Sequence, residues 1–404
     1  MDNKKMRIAL VNQRYGLEVN GGSEYYTRKL AEHLQEKYEI EILTTTALDY
    51  RTWENYYKPG VERIDGITVR RFQVQHIREP RKMSLYWRIA KFIPPLRKYG
   101  EKKWIEAQGP YAPELVYYIE EHRNEYDWIV FVTYLYYHTA FGAPAAAEKA
   151  VLLPTAHDEP YIHLRIFKKV FEKAAGLVYL TYEEKKMVES FFSVSNKPNC
   201  IAGTGIDLPL NINSLAYRQK FGVKGKYLIY VGRIDESKGC GEMFQIFRTY
   251  KTEYPDSELK LILMGKAMMD IPEDADIVYQ GFVSEEDKFN GMNDAVALWL
   301  PSKFESLSLA VLEAMALGVP VIVNGQCEVL KGHCERSRAG FAYLNDAQAI
   351  EEIRELEMEK ERSEMSLRAK KYIEENYSWS GVAEKLENLF LELQSNASGE
   401  EEKL

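Results

Sequence analysis

Short apolar runs alternate with helical patterns in two separate stretches of this chain, and that alternation restricts the fold more than any other feature. The first stretch opens with "RIALVNQ", followed by the loop "RYGLEVNGGS", a helical segment "EYYTRKLAEHLQEK" with Tyr26, Leu30 and Leu34 on one stripe, and "YEIEILTT". The second runs through "YLIYVGRI", "CGEMFQIFRTYKTEYP", "LKLILMG", "IVYQGFV", "AVALWLP" and "PVIVNG". Strands that read as continuous apolar runs with a helix between them form right-handed βαβ units, so each stretch implies a parallel sheet with helices on its faces. A chain of 404 residues exceeds what one core usually organises, and a hydrophobic fraction of 46% suffices for two. The fold class expected is α/β with two doubly wound, Rossmann-like domains facing across a cleft. The tract 193–213, rich in Gly, Pro, Ser and Asn, is the expected linker. The expected domains span 1–205, 206–375 and, as a C-terminal helical extension, 376–404, with "QSNASGEEEKL" as a frayed tail.

Charge and composition exclude several classes. A net charge of −8 argues against a nucleic-acid binder. Four cysteines and the absence of a long apolar run before the first strand read as a reduced, cytoplasmic protein. "CEVLKGHC" places Cys327, His333 and Cys334 close together, but three candidate ligands without a fourth partner make a poor zinc signature. Residues 78–103 break the acidic balance, with nine Lys or Arg against Glu79 and Glu101. Mixed with Tyr86, Trp87, Phe92 and Ile93, they suit either an anionic lipid surface or a solvated loop and helix.

Three segments just after predicted strands carry chemistry. In "NGGSE", Gly21 and Gly22 permit close backbone approach, and Ser23 is positioned to cap a helix whose free amides favour an anion. This is not the GxGxxG dinucleotide fingerprint, so NAD is disfavoured. In "VGRIDESKG", Arg233 and Lys238 flank a turn, a pair suited to a diphosphate or, as the plainer reading, to a solvated turn. In "FESLSLAVLEA", a helix expected to start near Ser306 carries Glu305 and Glu313, about 12 Å apart along its axis and turned by about 80°. So spaced, they cannot share a proton or a metal, and they address two points of one elongated ligand, or else a helix dipole and a solvent face.

Taken in order, "VNGGSE", "HDEPYI", "GTGID", "YVGRIDESKG", "GFVSEEDK" and "PSKFESLSLAVLEAMALGVPVI" resemble glycosyltransferase family 4, retaining enzymes of the GT-B fold. The sharpest element is E-x7-E, matched by Glu305 and Glu313 and followed by Gly-x-Pro. The resemblance implies that Arg233 and Lys238 hold a donor diphosphate shared with the amides near Gly21, Gly22, Ser306 and Leu307. It further implies that Glu313 binds the ribose, Glu305 reaches the donor sugar, Val283 lies by the base, His157 stands near the reacting sugar and acceptor, and the C-terminal helix crosses back to the first domain. By itself His157 reads as an ordinary satisfied histidine. "GKA" at 265–267 and "GQCEVLKGHC" depart from the family pattern. The expectation is hexosyl transfer from a nucleotide sugar, UDP-sugar favoured, to an unknown acceptor, with no cofactor or metal. A nucleotide-sugar epimerase of the same fold and a non-catalytic sugar-nucleotide sensor are the alternatives.

Overall fold

A computed structural model of the chain describes residues 5–19, 21–358 and 362–401, with side chains up to 397. It divides into two compact units, one of Met1–Thr204 with Trp379–Leu404 and one of Gly205–Ser378.

The first unit is built on eight strands: β1 Arg7–Val11, β2 Glu39–Thr45, β3 Gly60–Ile64, β4 Ile67–Phe72, β5 Trp128–Val132, β6 Ala150–Leu153, β7 Gly176–Tyr179 and β8 Asn199–Ile201. Their order is β3-β4-β2-β1-β5-β6-β7-β8, and every pair is parallel except β3 with β4. Central strands such as β5 and β6 are buried along their whole length, which is why "WIVFV" and "AVLL" show no polar alternation. The short strand β8 lies inside the tract expected to be linker: its backbone pairs with β7, so pairing at the sheet edge overrides the local turn-rich composition.

The second unit holds β9 Tyr227–Val231, β10 Lys260–Met264, β11 Ile277–Gly281, β12 Ala297–Leu300, β13 Val321–Asn324 and β14 Gly340–Tyr343, all parallel in the order β11-β10-β9-β12-β13-β14. The strand order reverses beside β9, the position where doubly wound sheets leave a crevice at the carboxyl ends of their strands.

The C-terminal helix Trp379–Glu401 packs in the first unit, where Trp379 stacks on His33 at 4.7 Å and Phe390 meets Tyr38 edge-on at 6.0 Å. The helix continues through residues 394–401, where a frayed tail was expected: no proline interrupts it, and one glycine costs only about 1 kcal/mol. Residues 402–404 of that expectation lie outside the described residues. Among the described residues no helix is long and apolar enough to cross a membrane.

Candidate functional site

In the second unit the loop after β9 is held against two neighbouring strand ends. Ile234 N–H donates to Lys266 O at 3.0 Å and Met268 N–H to Ile234 O at 2.8 Å, joining it to the "GKA" segment after β10. A Cβ on Gly265 would lie 1.8 Å from Gly232 O, so this close approach admits only glycine. Gly239 has φ +77° and leaves no room for a side chain against Pro301 O after β12.

On this platform Tyr230 Oη donates to Arg233 O at 2.6 Å, and Asp235 accepts from Arg233 Nε. Asp235 also caps the turn Glu236–Lys238, accepting from Lys238 N–H at 3.0 Å. Lys238 Nζ lies 2.7 Å from Glu305 Oε1, and both side chains are half-buried. The loops after β9 and β12 therefore bring Arg233, Lys238 and Glu305 into one polar cluster.

The helix of "FESLSLAVLEA" is shorter than expected, Leu309–Leu317. Ser308 has φ +68°, a left-handed conformation that stops helical geometry from extending to Ser306, and it makes no side-chain cap. Glu305, Ser306 and Leu307 thus belong to the loop before the helix, and the helical spacing calculated between Glu305 and Glu313 does not apply. Leu307 is buried, and its carbonyl accepts from His333 Nε2 at 2.8 Å. The other ring nitrogen of His333 bonds Tyr372 Oη at 3.1 Å, while Cys327 begins the helix Glu328–Ser337. His333 is thus a buried strut. No group of three or more metal-ligating side chains exists among the described residues.

Glu313 sits mid-helix, 6% exposed, with its Oε1 2.8 Å from Lys288 Nζ. Burial pushes the Glu313 pKa above the usual carboxylate range, and the Lys288 charge opposes that rise. Lys288 belongs to the helix Glu285–Asn293, entered through the half-buried Val283 and capped by Ser284, whose Oγ accepts from Asp287 N–H at 3.1 Å. Sequence reasoning missed Lys288 as the partner of Glu313, since nothing in "SEEDKFN" marks one lysine as inward-facing.

In the first unit the helix after β1 spans Gly22–Leu34 with Gly21 as its N-cap, so Ser23 lies inside the first turn and does not cap it. Ser23 Oγ instead donates to Glu24 Oε2 at 2.9 Å, and Gln13 Nε2 and Arg14 Nε donate to Glu24 Oε1 at 2.9 and 2.8 Å. Gly21 is extended, and a Cβ there would come within 2.2 Å of Glu24 Oε2, whereas one on Gly22 would meet open space. The acidic Glu24, buried in the first helical turn, suits the positive end of the helix dipole.

His157 lies on the loop after β6, with Nε2 3.7 Å from Glu159 Oε2. Glu159 also accepts from Tyr134 Oη at 2.6 Å. The loop is fixed by a second buried acid that sequence reasoning missed: Glu184 accepts from Ala156 N–H at 2.5 Å and Leu180 N–H at 2.6 Å. Burial lifts its pKa to about 8, against the pull of those amides. A signal existed, because Thr181 and Glu184 have capping-box spacing and Thr181 Oγ1 accepts from Glu184 N–H at 3.1 Å. The Glu184 carboxylate, however, ties together the loops after β6 and β7.

Two α/β units with these strand-end loops define the GT-B fold. Residues 225–356 match the family described as Glycosyl transferases group 1. An uncharacterized glycosyltransferase of Methanocaldococcus jannaschii is 23% identical over 95% of this chain and 98% of its own. Among solved structures, sucrose-phosphate synthase from Thermosynechococcus elongatus superposes with a TM-score of 0.69 at 16% identity, covering 97% of this chain and 100% of that one. Anabaena HepE in complex with UDP and glucose gives 0.65 at 13% identity, covering 95% and 98%. These likenesses support a GT-B glycosyltransferase.

Proposed function

We propose that the chain is a retaining glycosyltransferase of the family 4 kind, moving a hexose from a UDP-sugar to an acceptor hydroxyl without a metal ion. The observation that carries the reading is the polar cluster at the carboxyl ends of β9 and β12, where Arg233, Lys238 and Glu305 converge beside the helix bearing Glu313. A guanidinium and an ammonium held in advance by Asp235 and Glu305 need no reorganisation as charge grows on a departing diphosphate. Lys288 fixes the Glu313 carboxylate, which in this reading accepts from the ribose hydroxyls. Glu305, on the loop, takes hydroxyls of the hexose. His157, held by the Glu184-anchored loop, borders the reacting sugar. The HepE complex with UDP and glucose favours UDP as the nucleotide. The epimerase and sensor alternatives gain no support from the relatives, whose names describe glycosyl transfer.

Residues 78–103 form the second part of the proposal, a surface resting on anionic lipid with the protein peripheral to the membrane. Helices Pro80–Phe92 and Arg97–Gln108 are joined at a turn where Phe92 is 68% and Leu96 47% exposed, beside exposed Lys91 and Lys98. An apolar tip ringed by cations suits an anionic interface.

Acceptor-dependent release of UDP from a panel of UDP-hexoses, with the anomeric configuration of the product read by NMR, tests the reaction. Retention in the presence of EDTA is expected; inversion, or turnover abolished by EDTA and restored by magnesium, contradicts the proposal.

A further inference from the structure

In the first unit, the strands β4, β2, β1 and β5 are consecutive in the sheet, and the loop following each places one polar side chain near the others: Arg78 after β4, Tyr50 after β2, Arg14 after β1 and Tyr136 after β5. Their electrostatic influence on Arg78 comes from all three partners and from Asp49. Trp53, fully buried, forms the floor: the Arg78 guanidinium lies 4.8 Å from its ring centre, and the Tyr136 ring stands edge-on to it at 5.4 Å. The Trp53 indole N–H donates to Gln108 O at 2.7 Å, and Arg78 Nε donates to the same carbonyl at 3.1 Å, so ring and guanidinium are fixed together.

The two arginines differ in how their charge is met. Arg14 is paired with Glu24, both about 6% exposed. Arg78 is half-buried, its pKa pushed down by that burial, and no carboxylate among the described residues lies within ion-pair distance of it. Asp49, the acid whose charge acts on Arg78, is engaged by the backbone N–H groups of Arg51 and Thr52, at 2.7 and 3.1 Å. A guanidinium partly withdrawn from water beside a second guanidinium, with only its Nε bonded to a carbonyl, presents its terminal nitrogens to a ligand. Their planar fork matches an oxyanion.

We propose that this cluster is the acceptor's anion site: Arg78, fixed on the Trp53 ring beside Tyr136, holds an oxyanion of the acceptor, either a sugar phosphate or a uronic acid. The name acceptor rests on the glycosyl-transfer reading, whereas the oxyanion site rests on the first unit alone. Arg78 here is a binding residue and takes no part in bond making.

The test is calorimetric titration of the full chain with glucose 6-phosphate, fructose 6-phosphate, inositol 1-phosphate, glucuronate and glucose, in saturating UDP and again in an Arg233→Ala background, so that phosphate binding at the donor cluster is blocked in one arm and weakened in the other. At least one anionic sugar is expected to bind, glucose not, and the phosphate and glucuronate arms identify which oxyanion is taken. Arg78→Gln should weaken that binding roughly tenfold to a hundredfold, while Arg78→Lys, keeping the charge without the fork, retains part of it. UDP affinity and the melting profile of both variants should match the parent. Failure of every anion to bind, binding of glucose as tight as its phosphate, or an unchanged affinity in Arg78→Gln overturns the site. Failure of UDP alone to bind refutes the donor reading and leaves this one standing.

Discussion

Lys288→Met isolates the least visible part of the proposed donor cluster. The substitution keeps most of the aliphatic stem and removes the cation from Glu313, whose side chain is 8% exposed against 18% for Lys288. Removing one partner of a buried pair costs about 3–5 kcal/mol, and the partial exposure of Lys288 places this case near the lower end, about 3 kcal/mol. The cost depends on pH. Burial already raises the Glu313 pKa, and loss of Lys288 raises it further. A carboxyl raised in the folded state binds its proton more tightly folded than unfolded, so the penalty is absent below the unfolded value and develops as pH climbs through the folded one. Native-state hydrogen exchange of the peptide spanning 309–317, followed by mass spectrometry, reads local stability in the second unit. At a pH of about 8, a loss of about 3 kcal/mol accelerates its slowest amides roughly a hundredfold, while at a pH of about 5 the variant should approach the parent. Adding Glu313→Gln to Lys288→Met should recover much of the protection. Equal acceleration at both pH values, or no recovery in the double variant, refutes the buried-pair account.

Four further outcomes follow from the same geometry. Glu313→Ala should weaken UDP and UDP-hexose alike by roughly tenfold to a hundredfold, whereas Glu305→Ala, which also releases Lys238, should weaken the full donor by clearly more than it weakens UDP, both read by calorimetry. Glu184→Gln should slow turnover more than it weakens donor binding, because the loop carrying His157 loses one of the two acceptor oxygens that anchor it; equal loss in both would place Glu184 in folding alone. Vesicle flotation should recover the parent with anionic vesicles, less so as salt rises, and Phe92→Ser should reduce that recovery; equal recovery on neutral vesicles contradicts the lipid surface. Gly265→Ala should weaken donor binding by displacing the Arg233 loop, since its Cβ would overlap Gly232 O, and an unaltered affinity would show the loop to be free to move.

How far the sequence reveals this molecule depends on which interactions decide each feature. Strands such as Ala297–Leu300 were legible because burial on both faces demands unbroken apolar runs. The start of the helix at Leu309 was not, since propensity favours continuing it back to Ser306; the left-handed Ser308 sets the boundary instead. Charged residues show the same limit. Arg78 counted as one of nine cations in a basic segment, and only contact with Trp53 and Gln108, distant in sequence, separates it from its solvated neighbours. Glu184 was missed although it has capping-box spacing, and its bond to Ala156 crosses from one strand-end loop to another, which no local pattern encodes.

In the proposed function a nucleotide-sugar diphosphate is held by Arg233 and Lys238. Calorimetric titration of the parent chain, Arg233→Ala and Lys238→Ala with UDP and UDP-hexoses tests this most directly. Binding to the parent is expected, with each variant weaker by about 1.5–3 kcal/mol for the loss of one charge-assisted contact. Parent binding that neither substitution disturbs, or no binding of any UDP ligand to the parent, contradicts it.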